Sequence, residues 1–356
     1  MELKDICQYV SDRVATTSLS TSNYISTENM LPNKGGVVIA NGLPVGNAVA
    51  FAKDDVLVSN IRPYFKKIWQ ANKNGGCSAD VLCFRKNENV DNKYFYYLLS
   101  QQSFFDHMML GSKGCKMPRG DKKQIMNWSF DLPSLEEQKR IADILSSLDS
   151  KIELNRCIND NLEQQAQALF KSWFVENASY SGVSISEYFL PNRGKNLLVS
   201  DAKGGKTPVV AGGLTPSAFH NVANTKAPVI TISASGANAG FVNLWGIPVW
   251  AADSSYIDST IVSNIYFWYN LLKYNQKNIY ESQTGSAQPH IYPKHIGNLL
   301  IPDLDMRKVE CYESIVASMY LQINEIQQET KFLSDLRDTL LPKLISGELK
   351  INDLNC

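Results

Sequence analysis

The chain has 356 residues, 44% of them hydrophobic and 10% aromatic, which is enough for two or three domains with cores of their own and excludes a disordered chain. Its 35 Lys and Arg balance 35 Asp and Glu, so net charge alone gives no sign of a polyanionic partner. No run of eighteen apolar residues exists to span a membrane, and the start Met1-Glu2-Leu3-Lys4-Asp5 lacks the basic head and apolar block of a secretory signal, so a cytoplasmic location is expected.

In chain order, the first 133 residues read as β-rich. Gly35–Ala40, Asp55–Ser59 and Ala79–Phe84 are short β-branched runs bounded by Gly, Asn or Asp. A helix with aromatic spacing is predicted over Tyr94–Leu110, followed by a Gly/Pro-rich loop and, at Pro133, a stop. Residues 134–176 then carry a narrow apolar stripe through Ile141, Leu145, Leu148, Ile152, Asn155, Asn159, Leu162, Ala166, Leu169 and Trp173, the pattern of a coiled-coil seam. About forty helical residues make a rod of roughly 60 Å.

The sequence then repeats itself. Residues 177–302 contain predicted strands at Val209–Ala211, Ala227–Ile232 and Gly246–Trp250 and an aromatic helix over Asn264–Tyr280. A second rod follows over 303–350, with a stripe through Ile315, Met319, Gln322, Ile326, Glu329, Leu333, Leu336 and Leu340, and with Pro342 expected to kink or end it; 351–356 is a tail. Ala79-Asp80 reappears as Ala252-Asp253, Tyr94–Leu99 as Tyr266–Leu272, Gly111-Ser112 as Gly285-Ser286 and Pro133 as Pro302, all in one order. Four landmarks in register imply one unit written twice: an α+β fold with twisted mixed sheets, the copies related by a pseudo-two-fold axis and separated by two long antiparallel coiled-coil helices. The polar seam residues Asn155, Asn159, Gln322 and Glu329 are expected to fix register. The alternative is two amphipathic helices packed into one compact core.

Charge is unevenly distributed. Residues 1–133 hold 16 Lys/Arg against 12 Asp/Glu and 177–302 hold 8 against 5, whereas the rods hold 5 against 8 and 6 against 9. Cations gather where a polyanion would sit. Lys113, Lys116, Arg119, Lys122 and Lys123 crowd one loop, and Arg62, Tyr64, Lys66 and Lys67 share an acid-free stretch with Phe65 and Trp69, a mixture suited to phosphate contacts and base edges. The second unit offers Lys203, Lys206, Ser235 and Asn238 among glycines, then Ser286, Gln288, His290 and Lys294 where the first has its basic loop. These seventeen residues are the candidate DNA-binding positions; the alternative for each is a solvated polar loop.

Catalytic patterns fail. Gly204-Gly205-Lys206-Thr207 imitates a P-loop, but the required earlier glycine is Ser200. Pro302-Asp303 and Glu348–Lys350 imitate a nuclease motif from opposite ends of the second rod, and no Asn/Asp-Pro-Pro-aromatic methyltransferase signature occurs. The seven scattered cysteines form no C-x-x-C pair, and His107, His220, His290 and His295 make no metal-ligand spacing, so the cysteines read as reduced thiols and no metal or cofactor is expected on this chain.

Leu132–Leu145, which contains Pro-Ser-Leu-Glu-Glu-Gln, and Asp149–Asn155 resemble the opening of the helix shared by type I restriction–modification specificity subunits. Leu336–Leu349 resembles the close of that family's second helix, and Tyr24–Pro32 and Thr284–His290 are similar to segments of its target-recognition domains. Asp303–Arg307 departs from the pattern in lacking Glu-Glu-Gln. The resemblance implies target-recognition domains at 1–133 and 177–302 that each read half of a bipartite double-stranded DNA site, with spacer helices at 134–176 and 303–350 that set the gap and dock two methyltransferase subunits. Restriction endonuclease/translocase subunits would join through the complex. S-adenosylmethionine, ATP and Mg²⁺ would belong to those partners, and this chain would not be an enzyme by itself. Alternatives are a methylation-only or type II-like assembly, a stand-alone nuclease, or a coiled-coil scaffold that binds only protein.

Overall fold

The computed structural model describes residues 1–112, 116–176, 178–285 and 288–351. Two compact units divide the chain: the first takes Met1–Ile152 together with the segment from Phe332 onward, and the second takes Glu153–Lys331.

In chain order the first unit contains β1 (Cys7–Tyr9), β2 (Arg13–Ala15), β3 (Tyr24–Ile25), β4 (Asn47–Phe51), β5 (Val56–Ser59), β6 (Ile68–Gln70), β7 (Gly75–Cys77), β8 (Val81–Lys86), α1 (Asn92–Leu99), α2 (Gln102–Leu110), α3 (Lys122–Ile125) and the start of α4 (Leu135–Phe174). The second continues α4 and adds β9 (Asn192–Arg193), β10 (Thr207–Val210), β11 (Ala218–His220), β12 (Val229–Ser233), β13 (Val242–Trp245), β14 (Trp250–Ala251), β15 (Ser254–Asp258), α5 (Ile265–Tyr274), α6 (Gln276–Glu281), α7 (Pro293–Gly297) and most of α8 (Met306–Ile345).

Strand order shows the repeat. The first unit has an antiparallel sheet β1-β8-β5-β6, and the second has β9-β15-β12-β13, the same order built from corresponding strands. Register agrees: Leu57 faces Cys83, and Thr231, 174 positions after Leu57, faces Tyr256, 173 positions after Cys83. Beside these sheets, β3 pairs parallel with β7 and β10 pairs parallel with β14. The first unit adds β4 against β7 and β2 against β4, and the second adds β11 on β10. The central strands β5 and β12 are buried along their whole length, which is why both read as continuous apolar runs rather than as alternation.

Several predicted elements need correction. Gly35–Ala40 is no strand; Val37 makes one isolated bridge to Met30, and the segment between is a turn with left-handed Asn33, Lys34 and Gly36. The predicted helix over Tyr94–Leu110 is two helices, because Gln101 is extended and starts a new one. The one over Asn264–Tyr280 also breaks, at Asn275. Gly246–Trp250 contributes only its last residue to a strand, while β13 lies just before it. α8 runs through Pro342 as far as Ile345.

Both long helices are built into the domain cores. In the first unit Ile141, Ala142 and Leu145 of α4 and Leu341, Leu344 and Ile345 of α8 pack with Phe84, Phe95, Leu98 and Phe104. Asp149 joins the same layers: it accepts from Tyr97 Oη at 2.6 Å and from Arg337 Nη1 at 2.7 Å. In the second unit Ala166, Phe170 and Phe174 of α4 pack with Val309, Tyr312 and Val316 of α8 and with Phe267 and Leu271 of α5. There Asn155 Nδ2 donates to Glu329 at 2.7 Å and Tyr312 Oη to the Ala166 carbonyl at 2.9 Å, so partner numbers fall along α8 as they rise along α4 and the helices run antiparallel.

The first stripe has the expected phase at Ile141, Leu145, Ile152, Asn155 and Ala166, all buried. The second does not. Ile315 and Gln322 are exposed, and the buried positions are Tyr312, Val316, Tyr320 and Ile323. α8 faces α5 as well as α4, so its buried arc is wider than a two-helix seam and is turned toward the tyrosines.

Phe170 touches the rings of Phe174, Phe267 and Tyr312 and is 2% exposed. Phe170→Ala should cost about 3–5 kcal/mol in urea unfolding. Leu154→Ala, on the same helix but 54% exposed, should change stability by under about 0.5 kcal/mol.

Candidate nucleic-acid interface

In each unit one junction gathers three loops at the ends of the central strands, and the backbone builds it the same way twice. In the first, Asn60 N donates to the Asp80 carbonyl at 2.8 Å and Arg62 N to the Pro118 carbonyl at 2.9 Å, while Ile61 bridges Arg119. In the second, Ala234 N donates to the Asp253 carbonyl at 3.1 Å and Gly236 N to the Pro289 carbonyl at 3.1 Å, while Ser235 bridges His290. Arg62 therefore corresponds to Gly236, Ile61 to Ser235, Arg119 to His290 and Asp80 to Asp253.

These contacts place the side chains. Asp80 Oδ1 lies 3.0 Å from Arg119 Nη2, both partly exposed. Asn60 Nδ2 donates to the Gly120 carbonyl at 3.2 Å; a Cβ at Gly120 would come within 2.9 Å of Asn60 Oδ1, so glycine permits the approach. Arg62 is left-handed, with φ of 50°, where its counterpart is a glycine with φ of 83°. Its Nε is buried without a hydrogen-bond partner among the described residues. In the second unit Asp253 accepts from Arg193 Nη2 at 2.6 Å and from Ser235 Oγ. Asn238 Nδ2 reaches the Gly212 carbonyl at 3.3 Å, and the His290 ring stacks near that of Tyr292, centroids 6.1 Å apart.

Beside the first junction lies a cleft of about 380 Å³ lined by Ser26, Thr27, Glu28, Asn29, Ile39, Ser78 and Asp80 among others. Asn29 shapes its wall by donating to the carbonyls of Tyr24 and Val38 and accepting from Ser26 N. The Tyr24–Pro32 segment singled out in the sequence thus forms part of this cleft.

The predicted positions do not all converge. Arg62 and Arg119 meet at the first junction, and Ser235, Asn238 and His290 meet at the second. Lys116 is exposed next to Arg119 in the chain, and Lys122 and Lys123 are exposed on α3, with Lys122 Nζ 6.0 Å above the Tyr9 ring. Tyr64 is 48% exposed beside Phe65. Lys67 is committed: its Nζ donates to the Thr27 carbonyl at 2.6 Å, and burial holds its pKa below the usual lysine value. Lys66 lines a different cavity of about 340 Å³ with Lys34 and Asp338, where Lys34 and Asp338 pair at 3.3 Å. Gln288 and Lys294 are exposed. Lys203 and Lys206 are exposed on the turn that leads into β10; a strand rather than a helix follows Gly205, which removes the P-loop resemblance. Lys113 and Ser286 lie outside the described residues.

Sequence reasoning missed Asp80, Asp253 and Arg193. The Ala-Asp recurrence was the available signal for the two aspartates; nothing in the local sequence marks Arg193. Cys7 and Cys77 are buried thiols pushed up to about 12, and Cys83 is pushed up further, first by burial and then by Asp55, so none of the three supplies a thiolate nucleophile.

Residues 1–164 match the family model described as type I restriction modification DNA specificity domain. The chain is 30% identical over 223 residues to the HindI specificity subunit of Haemophilus influenzae, an alignment that covers 58% of this chain and 47% of that protein, so it spans about half of that relative's length. It is 24% identical over 321 residues to the MjaIX specificity subunit of Methanocaldococcus jannaschii, covering 75% of this chain and 71% of that one. The crystal structure of a type I restriction–modification S subunit from M. genitalium shares the fold, with a TM-score of 0.59 at 21% identity over 97% of this chain and 95% of that one. The first 164 residues of this chain thus match the DNA specificity domain of type I restriction–modification systems, and the chain is similar to type I restriction–modification specificity subunits.

A left-handed non-glycine residue costs roughly 1 kcal/mol or more, and the repeat places glycine at this very position. Arg62→Gly should therefore raise the thermal midpoint or leave it unchanged while weakening retention of duplex DNA. A lowered midpoint would mean that Arg62 serves the fold.

Proposed function

We propose that this chain is the sequence-reading component of a type I restriction–modification complex, in which each α+β unit reads one half of a bipartite duplex site. The observation that carries this is the twice-built junction: one backbone frame presents Arg62, Arg119 and Asp80 in one copy and Gly236, His290 and Asp253 in the other. Two copies of one frame with different side chains suit two half-sites of different sequence. The cation excess of 1–133 and 177–302 supports a phosphate-lined surface on each.

The long helices would set the gap and dock the methyltransferase subunits, with restriction/translocase subunits joining through that assembly. Leu154, Ile315, Leu321 and Phe332, between 39% and 65% exposed on α4 and α8, offer apolar contact area for such partners. Half-sites read from one face of B-DNA want centres about one turn, ~10 bp, apart. With roughly 3–4 bp read by each unit, about 6 bp between them would go unread. Methyl transfer and cleavage, with their S-adenosylmethionine, ATP and Mg²⁺, would belong to the partner subunits. Among the described residues no helix is long and apolar enough to cross a membrane.

Domain exchange tests this reading. Replacing residues 1–133 by those of a relative should change one half of the methylated motif and leave the other half and the gap intact; a change in both halves overturns it. Replacing Lys116, Lys122 and Lys123 by Gln should weaken binding to all sequences alike. The slope of log K against log salt should then flatten by about 0.9 for each phosphate that is no longer neutralised.

A further inference from the structure

Asp80 and Asp253 occupy the same place in the two repeats, each just before the strand that pairs with the central one. Each forms an ion pair with a guanidinium through Nη2: Asp80 with that of Arg119 at 3.0 Å, and Asp253 with that of Arg193 at 2.6 Å, the latter also a hydrogen bond. The two arginines are not counterparts. Arg119 comes from the loop before α3, whereas Arg193 comes from β9, and the repeat position of Arg119 is held by His290. The same carboxylate has thus acquired an arginine twice, from two different parts of the chain.

Stability gives little reason for this. The arginine side chains are 54% and 42% exposed, and ion pairs so close to water add little to folding. What such a pair does accomplish is orientation. A carboxylate that engages one Nη holds the planar fork in a fixed attitude and leaves its remaining donors turned outward. The carboxylate is itself fixed: Asp253 also accepts from Ser235 Oγ, and the carbonyls of Asp80 and Asp253 are tied into the junction by Asn60 N and Ala234 N. In the major groove only guanine presents two adjacent acceptors, O6 and N7, to a guanidinium fork.

We propose that Arg119 and Arg193 each read one guanine, one in each half-site, and that Asp80 and Asp253 are the positioning residues that aim them. The proposal rests on the DNA-reading function above and names the side chains that give each half its sequence. It also divides the cationic side chains by role: Lys116, Lys122 and Lys123 supply charge, which every sequence shares, whereas the held forks supply discrimination.

The test is selection from a randomised duplex pool by the full chain purified with its methyltransferase subunits, followed by sequencing of the retained DNA. The wild type should enrich a bipartite motif with an essential guanine in each half. Arg119→Lys and Arg193→Lys keep the charge but not the fork. Each should lose guanine preference on the order of ten- to a hundredfold in one half only, and the two variants should affect opposite halves. Asp80→Asn and Asp253→Asn should reproduce the loss in the matching half at smaller size, with melting temperatures close to wild type. Lysine variants that keep the guanine preference and lose only overall affinity would make these arginines phosphate contacts and overturn the proposal, as would a half-site without guanine. A wild-type complex that enriches no motif would overturn the DNA-reading function itself, and this inference with it.

Discussion

Neither α+β unit closes its core without both long helices, and the other features of the molecule depend on that constraint. In the first unit, Ile141, Ala142 and Leu145 on one helix and Leu341, Leu344 and Ile345 on the other cover the aromatic face of α1 and α2. In the second, Phe170 and Phe174 meet Tyr312 and Val316 over α5. Large apolar side chains of this kind contribute roughly 1.5–3 kcal/mol each when buried, so sliding either helix by a turn would forfeit the burial of several together. The buried amide of Asn155, paired with Glu329, adds a polar penalty to any other register, since its donor would be left without an acceptor in an apolar layer. Each of the segments that look like spacers in the sequence therefore contributes to the cores of both units.

That integration explains where sequence reasoning succeeded and where it did not. The stripe on α4 could be phased from sequence because its buried positions, Ile141 to Ala166, are nearly all aliphatic. On α8 the buried face contains Tyr312 and Tyr320, whose hydroxyls are satisfied by the Ala166 carbonyl and Asn270, and a seam drawn through aliphatic residues passes beside it. The tyrosines are half polar in the sequence and fully interior in the fold. Gly35–Ala40 failed for a related reason. Its β-branched residues resemble those of β5, but left-handed Asn33, Lys34 and Gly36 bend the chain back, and Val38 and Ile39 remain 50% and 70% exposed. Periodicity reports apolarity and not the turn that disposes of it.

The candidate interface was legible in a different proportion. Basic loops stand out in a sequence, so Lys116, Arg119 and the α3 lysines were found by composition. Single acids do not stand out, and in a search for polyanion contacts they count against a site; Asp80 and Asp253 were visible only as repeat landmarks. Once Asp80 is seen beside Arg119 its meaning reverses, because a carboxylate on a guanidinium limits the fork's freedom without cancelling its hydrogen-bonding edge. Lys67 makes the opposite lesson. It lies in the most promising aromatic–basic stretch, yet its ammonium is spent on the carbonyl of Thr27, a residue of the cleft wall.

The two junctions share backbone hydrogen bonds and almost no side chains, and this has a physical consequence for the proposed reading of two different half-sites. Asn60 N to Asp80 O and Ala234 N to Asp253 O hold the loops whichever side chains they carry. Side chains in such a frame can be replaced at little cost to folding, because the groups that order the loops belong to every residue type except proline. The departures from this indifference are informative. Arg62 accepts a left-handed backbone that its counterpart meets with glycine, and Gly120 admits an approach that a Cβ would block. Residues that carry a structural penalty in a frame that asks so little of them are where a function must be offsetting the cost. On that reasoning the proposed reading surface would be centred on the loops around Arg62, Asp80 and Arg119 and their counterparts, and Lys116 and the α3 lysines would serve to bring DNA to it.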